Sequence, residues 1–225
     1  MENKAIFITG IDTNVGKTYA TGILARSLAA KGKKVTTYKM IQTGCEKISE
    51  DIEMHRRLMG EPLSEEDKAG RTCGYLFKYP CSPHMAAGLE KRSINMVYIS
   101  TKINSLKEHN DYILIEGAGG LMVPLDFEKL TIDFIAGNRY PVVLVTSGKL
   151  GSINHTVLSL FACRTYNIKV LAVIYNRYPQ IDKAIEDNTF QYLERYISNN
   201  CPGTQLLVLP EERGDNSFVF DNLWF

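Results

Sequence analysis

Six short apolar runs punctuate this chain, at residues 5–9, 34–39, 112–115, 142–145, 170–175 and 206–209. They are apolar at successive positions rather than at every second one. Strands of that kind bury both faces, which requires a mostly parallel sheet with helices packed on each side. Helical patterns fill the intervals, at 17–31 (closed by Gly32), 50–59, 96–108, 131–136, 153–166 and 182–197. In the last of these Ile185, Thr189, Tyr192, Leu193, Tyr196 and Ile197 fall on one helical face. The alternation predicts a doubly wound α/β fold with ligands at the carboxyl ends of the strands. Residues 60–95, with Gly60, Pro62, Gly70, Gly74, Pro80 and Pro83, read as an irregular excursion inside one domain spanning 1–225.

Composition supports a globular chain and removes several function classes. Of the 225 residues 44% are apolar, enough for a sizeable core, while the net charge is only +1. Near-neutrality gives no electrostatic case for nucleic acid or an acidic membrane surface, so cations that matter must act locally. The cysteines Cys45, Cys73, Cys81, Cys163 and Cys201 are odd in number and form no C-x-x-C pair. They suggest neither a disulfide framework nor a zinc site, and a reduced cytoplasmic protein is expected. Met1-Glu2-Asn3-Lys4 runs straight into the first strand without the pattern of a signal sequence.

Directly after the first strand comes GIDTNVGKTY, Gly10 to Tyr19. The common phosphate loop is G-x-x-x-x-G-K-[ST], whereas here five residues separate Gly10 from Gly16. Its place between strand and helix is nevertheless where such a loop must lie. Inward-turned N–H groups and the positive helix end receive an anion there. Lys17 would reach the outer phosphates and the Thr18 hydroxyl would ligate Mg²⁺. An apolar strand ending in a carboxylate completes such sites, and Glu116 follows Tyr112-Ile113-Leu114-Ile115. It is one methylene longer than the commoner Asp, and Gly117-Ala118-Gly119-Gly120 lets backbone approach a ligand closely. Lys39, at the end of the second predicted strand, offers a second cation for phosphoryl transfer.

Taken in order, five blocks resemble the dethiobiotin synthetase family. They are T-G-x-D-T-x-V-G-K-T at 9–18, K-x-x-x-T-G at 39–44, S-P-H at 82–84, E-G-A-G-G at 116–120 and G-K-L-G-S-I-N-H at 148–155. The resemblance runs from the first strand to about Asn176, and it accounts for the longer loop as the family's own. It implies ATP- and Mg²⁺-dependent closure of a cyclic urea from 7,8-diaminononanoate and CO₂ or bicarbonate, through a phosphorylated carbamate. Carried onto this sequence, Lys17 and Lys39 are catalytic. Thr18, Asp51 and Glu116 surround the metal, with Glu50 and Glu53 as near neighbours of Asp51. Thr13, Asn14, Val15, Gly16, Gly117, Ala118 and Gly119 line the nucleotide, and Asn176, Pro210 and Glu211 approach its base. Thr13, Lys39 and Thr43 hold the diamine or carbamate. Gly151, Ser152 and Asn154 open a helix that receives the substrate's carboxylate from the neighbouring subunit of a homodimer.

Three departures accompany the resemblance. Met40 stands where many members have proline, which predicts a less rigid loop after Lys39. Only fifteen residues follow Pro210, and Gly214, Asp215 and Asn216 suit no helix interior, which predicts weak adenine selectivity and a tail that packs Phe218, Phe220 and Trp224 on the core. His55, His84, His109 and His155 read as structural or surface residues, Ser152 as a helix cap as well as a ligand. A switch ATPase of the partitioning or division-site type shares the expected fold, but it carries a lysine early in the loop and none precedes Lys17 here. A cobyrinate-type amidotransferase synthetase would need a further glutaminase domain beyond Phe225.

Overall fold

The computed structural model describes residues 4–179, 182–211 and 218–223. Seven strands form one sheet: β1 (Ala5–Gly10), β2 (Val35–Thr43), β3 (Cys73–Phe77), β4 (Tyr112–Gly120), β5 (Val142–Ser147), β6 (Val170–Asn176) and β7 (Gln205–Leu209). Their order is β3-β2-β4-β1-β5-β6-β7, with every neighbouring pair parallel. The helices are α1 (Lys17–Ala30), α2 (Glu50–Met59), α3 (Glu65–Lys68), α4 (Pro83–Leu89), α5 (Met96–Leu106), α6 (Thr131–Gly137), α7 (Ser152–Thr165) and α8 (Lys183–Asn200). Chain direction across the sheet reverses around β1, which has β4 on one side and β5 on the other. The doubly wound α/β expectation is therefore met.

Strand alternation builds two cores. Ile6 and Ile8 of β1 join Leu114, Val143 and Val145 beneath Ile23, Leu24 and Leu28 of α1. Phe7, Ile113, Ile115 and Leu144 point the other way, toward α4, α5, α6 and α7. Both sets are almost wholly removed from water. Burying such side chains contributes roughly 1.5–3 kcal/mol each, so the continuous apolar runs fix the sheet's double covering. The C-terminal tail lies on α1: Phe220 is buried, and its N–H donates to Ser27 Oγ at 2.9 Å. Lys31 donates to the Leu223 carbonyl at 2.8 Å and Arg26 to that of Phe218. Trp224 and the 214–216 stretch lie outside the described residues. Among the described residues no helix is long and apolar enough to cross a membrane.

The excursion at 60–95 needs correction. It supplies the edge strand β3 and the short helices α3 and α4. Gly74 is what allows β3 to close against β2, since a Cβ there would meet the Met40 carbonyl oxygen at 2.3 Å. Because β3 pairs with Lys39 through Thr43, β2 runs four residues beyond its expected end. Lys39 thus sits inside a strand rather than at its tip. Met40, buried in β2, belongs to no loop, so the expected loss of rigidity there does not arise. β4 likewise continues past Glu116 to Gly120. On α8 the buried stripe is Glu186, Thr189, Leu193 and Ile197, and Tyr192 faces outward.

One buried ion pair ties this excursion to the helix that faces the loop. The Arg56 guanidinium of α2 donates to both oxygens of Asp67, at 2.8 and 2.9 Å. Thr72 and Ser64 complete the carboxylate's shell at 2.7 and 2.8 Å. Burial opposes ionisation of Asp67, but hydrogen bonds from Arg56 and Thr72 more than offset it and bring the carboxyl from 3.8 down to about 2. A depressed carboxyl contributes stability in full above its unfolded value, and that contribution is lost as pH falls toward 2. Asp67→Asn leaves Arg56 buried and unpaired, so urea unfolding at neutral pH is expected to lose about 3 kcal/mol. Its stability should also fall less steeply than wild type between roughly pH 4 and 2. An unchanged acid limb in the variant would show that Asp67 is not the titrating group.

Candidate active site

Residues 11–16 cross from β1 to α1 as a loop wrapped over the sheet's carboxyl rim. Gly16 takes φ 96° at the helix N-cap, a left-handed backbone that a side chain resists, and no side chain caps the helix. The first N–H groups of α1 therefore lie at a turn suited to an anion. Thr13 and Asn14 are exposed on the loop, and Val15 is buried beneath it. Gly119 comes close to the Thr13 hydroxyl, because a Cβ added there would stand 3.8 Å from it. The glycines at the end of β4 thus lie close against the loop.

Lys17 and Lys39 are both buried, at 7% and 5% exposure. Lys17 Nζ donates to the Asp12 carbonyl at 2.8 Å. Burial, reinforced by the positive charge of Lys39, lowers its ammonium to about 8. Lys39 is different because it lies between two carboxylates. It donates to Glu116 Oε1 at 2.8 Å, pairs with Asp51, and reaches the Gly117 carbonyl at 3.2 Å. Burial alone would lower Lys39, but Glu116 and Asp51 outweigh it and hold the ammonium above its ordinary value. Burial likewise opposes ionisation of Glu116, and the charge of Lys39 with the His55 hydrogen bond drives its carboxyl well below the usual range.

Thr18 joins the same cluster, with its hydroxyl 3.0 Å from Asp51 Oδ1 and 3.1 Å from Glu116 Oε1. Asp51 arrives in the first turn of α2, which starts where Ser49 accepts the Ile52 N–H at 3.3 Å. Glu50 and Glu53 are exposed, so of the three acidic neighbours only Asp51 turns to Thr18. The structure therefore brings together Lys17, Thr18, Lys39, Asp51 and Glu116, with Gly117, Ala118 and Gly119 continuing along β4.

The outlying candidates divide. Thr43 ends β2, half-buried, and is followed by Gly44 at φ 79°. Asn176 is buried and gives its two amide protons to the carbonyls of Val15 and Tyr178, both at 2.9 Å. It binds β6 to the phosphate loop, and its Oδ1 accepts from the Tyr178 N–H at 3.2 Å. Pro210 and Glu211 follow β7, whose last residue Leu209 is in register with Asn176. Gly151 and Asn154 are exposed at the start of α7. Ser152 departs from expectation: Gly151, at φ 93°, occupies the cap position, while the buried Ser152 hydroxyl meets Ser147 Oγ at 3.0 Å. That hydroxyl faces the last residue of β5.

A family model described as an AAA domain matches residues 4–213. An ATP-dependent dethiobiotin synthetase of Pasteurella multocida is 52% identical over 206 residues, covering 92% of this chain and 97% of the relative. That of Haemophilus influenzae is 58% identical over 179 residues, covering 80% and 94%. The chain belongs to the dethiobiotin synthetase family. A dethiobiotin synthetase of Chlorobaculum tepidum is 46% identical across 96% of this chain and 92% of its own length. Among solved structures, a plasmid partition protein from Borrelia burgdorferi superposes at TM-score 0.57 with 16% identity, covering 96% and 93% of the two chains. MinD of Aquifex aeolicus does so at 0.52 with 18% identity, covering 93% and 83%. At such identities the likeness extends to the fold alone, that of phosphate-loop NTPases.

His55, expected as structural or surface, is structural. It is fully buried, and its Nε2 lies 2.7 Å from Glu116 Oε2. The signal was its spacing from Asp51, since residues four apart share a helix face. The role of that face depends on α2 packing against β2, which leaves Glu116 of the neighbouring β4 within reach of His55.

Proposed function

We propose that this protein closes the cyclic urea of dethiobiotin from 7,8-diaminononanoate, CO₂ and ATP. The observation that carries the reading is the pairing of two buried lysines, Lys17 on the loop and Lys39 on β2, beside Thr18, Asp51 and Glu116. One amine of the substrate takes up CO₂ to form a carbamate anion. A carbamate oxygen then attacks the γ-phosphorus of ATP, breaking its bond to the bridging oxygen and releasing ADP. The second amine attacks the resulting carbonyl and expels phosphate, closing the five-membered ring.

Each step accumulates or moves negative charge, and the chain is nearly neutral overall, so a local pair of ammonium groups is what the chemistry needs. Lys17, still mostly protonated at neutral pH, binds the outer phosphates. Lys39 holds the carbamate in line with them, and such positioning supplies much of the acceleration. Thr13 and Thr43 orient the diamine or carbamate. Backbone N–H groups of Asn14, Val15 and Gly16 cradle phosphate, while Gly117, Ala118 and Gly119 border it. The base lies toward Asn176, Pro210 and Glu211.

The donors contributed by Thr18, Asp51 and Glu116 are all oxygen, two of them carboxylate, which fits a hard divalent cation. A bound Mg²⁺ would neutralise phosphate charge there. All five cysteines are free, in keeping with a cytoplasmic enzyme. With diaminononanoate, bicarbonate, Mg²⁺ and ATP, the wild-type enzyme should yield dethiobiotin and ADP in equal amounts. Lys39→Ala should lower that turnover on the order of 10²–10³-fold. Near-normal product formation by Lys39→Ala would remove this lysine from the mechanism, and ADP release without dethiobiotin in wild type would remove the reaction itself.

We also propose that the working unit is a homodimer. Support comes from the surface beside the start of α7, where Leu150 is 87% exposed and Leu158, Phe161 and Met122 about half exposed. A hollow of about 690 Å³ runs from Asp12 and Thr13 to Met122, His155, Leu158 and Phe161, so the loop and this apolar surface are continuous. A second subunit covering it would bring its own Gly151 and Asn154 toward the substrate carboxylate. Mixing Lys39→Ala with Asn154→Ala subunits should then restore part of the activity. Two folded, exchanging variants that fail to complement would exclude shared sites.

A further inference from the structure

The carboxylate of Glu116 is divided between two environments. Oε1 faces the site, 2.8 Å from Lys39 Nζ and 3.1 Å from the Thr18 hydroxyl. Oε2 faces inward, 2.7 Å from His55 Nε2. A carboxylate ionised beside Lys39 only accepts hydrogen bonds, so Nε2 must carry a proton whether the imidazole is neutral or charged. The far side of the ring agrees. His55 Nδ1 lies 3.0 Å from Thr37 Oγ1, which already accepts from Arg56 Nη1 at 3.0 Å. The hydroxyl keeps a second lone pair, so Thr37 donates to Nδ1 of a neutral imidazole or accepts from a charged one, and Nε2 faces Glu116 as a donor in both cases. Arg56 is itself fixed by the two oxygens of Asp67. A continuous series of hydrogen bonds thus links Arg56, fixed on Asp67, through Thr37 and His55 to Glu116, and every member is buried.

We propose that His55 is a positioning residue for Glu116, donating through Nε2 to one carboxylate oxygen so that the other is presented to Thr18, Lys39 and the metal. The reason lies in the residue type at 116. Glutamate has one more rotatable bond than the commoner aspartate, and an unanchored carboxylate would sample several positions. Anchoring Oε2 inside the protein leaves Oε1 a single direction. The anchor also comes from the helix that delivers Asp51, one turn earlier on the same face, so α2 sets the spacing of both carboxylates. The metal part of this inference rests on the proposed role of Glu116, whereas the positioning contact does not.

Two substitutions separate the contact from mere packing. In His55→Gln the amide nitrogen reaches the place of Nε2 and keeps the donor to Glu116. In His55→Asn the shorter amide keeps only the Thr37 side. With nucleotide affinity measured by calorimetry at increasing Mg²⁺, His55→Asn should need on the order of 10–100-fold more Mg²⁺ to tighten ATP binding. His55→Gln should stay within a few-fold of wild type, and neither variant should change the KM for the diamine. Equal Mg²⁺ dependence in both folded variants would reduce His55 to a packing residue. NMR of histidine-labelled protein provides a metal-free readout, in which the Nε2 proton of His55 should move upfield in Glu116→Gln. An unmoved resonance would overturn the contact. Should Glu116→Gln leave the Mg²⁺ titration unchanged while the resonance moves, the metal role of Glu116 fails and its positioning by His55 stands.

Discussion

The Lys39 ammonium, enclosed between Glu116 and Asp51, is the interaction on which the site depends. Removing such charges from water costs several kcal/mol per ion, and their attraction repays this only when geometry and hydrogen bonds are good. Here they are good, because β2 and β4 place Lys39 and Glu116 directly opposite one another in the sheet register. The pairing is therefore a product of strand alignment rather than of flexible surface side chains. Two cations and two anions converge within one cluster, which stays near neutral although the reaction it serves handles highly charged anions.

Helix α2 turns this pair into a site. Its first turn supplies Asp51, its second supplies His55 and Arg56, and Arg56 anchors the helix to Asp67 in the segment before β3. A helix held at both ends in this way cannot shift without moving Asp51 relative to Thr18. On the other flank, Asn176 fastens the phosphate loop to β6 through the Val15 carbonyl. The loop is thus gripped from both sides by rigid elements, the condition for electrostatic preorganisation.

Much of this was legible in the sequence for definable reasons. Continuous apolar runs identified six strands, and the loop between the first strand and helix located Lys17 and Thr18. Asp51 was singled out among three neighbouring acidic residues, and it is the one whose carboxylate meets the Thr18 hydroxyl. What escaped notice depended on contacts distant in sequence. The edge strand β3 is short and carries Gly74, a weak strand former whose value appears only against the Met40 carbonyl. Missing β3 shortened β2 and placed Lys39 at a tip. His55, Arg56 and Asp67 are polar residues buried through mutual hydrogen bonds, and no periodic pattern marks such a network. Ser152 followed a sound capping rule, yet Gly151 at φ 93° took the cap and turned the hydroxyl inward.

The coupling between Lys39 and Glu116 decides whether a buried ion pair holds the site together. Urea unfolding of Lys39→Met, Glu116→Gln and the double variant, without nucleotide or Mg²⁺, measures it directly. Lys39→Met leaves Glu116 buried without its cation and should cost about 3 kcal/mol, whereas Glu116→Gln leaves Lys39 to Asp51 alone and should cost less. The double variant should recover about 2 kcal/mol or more of the summed loss. Losses that simply add, within about 0.5 kcal/mol, would contradict a buried pair at the centre of the site.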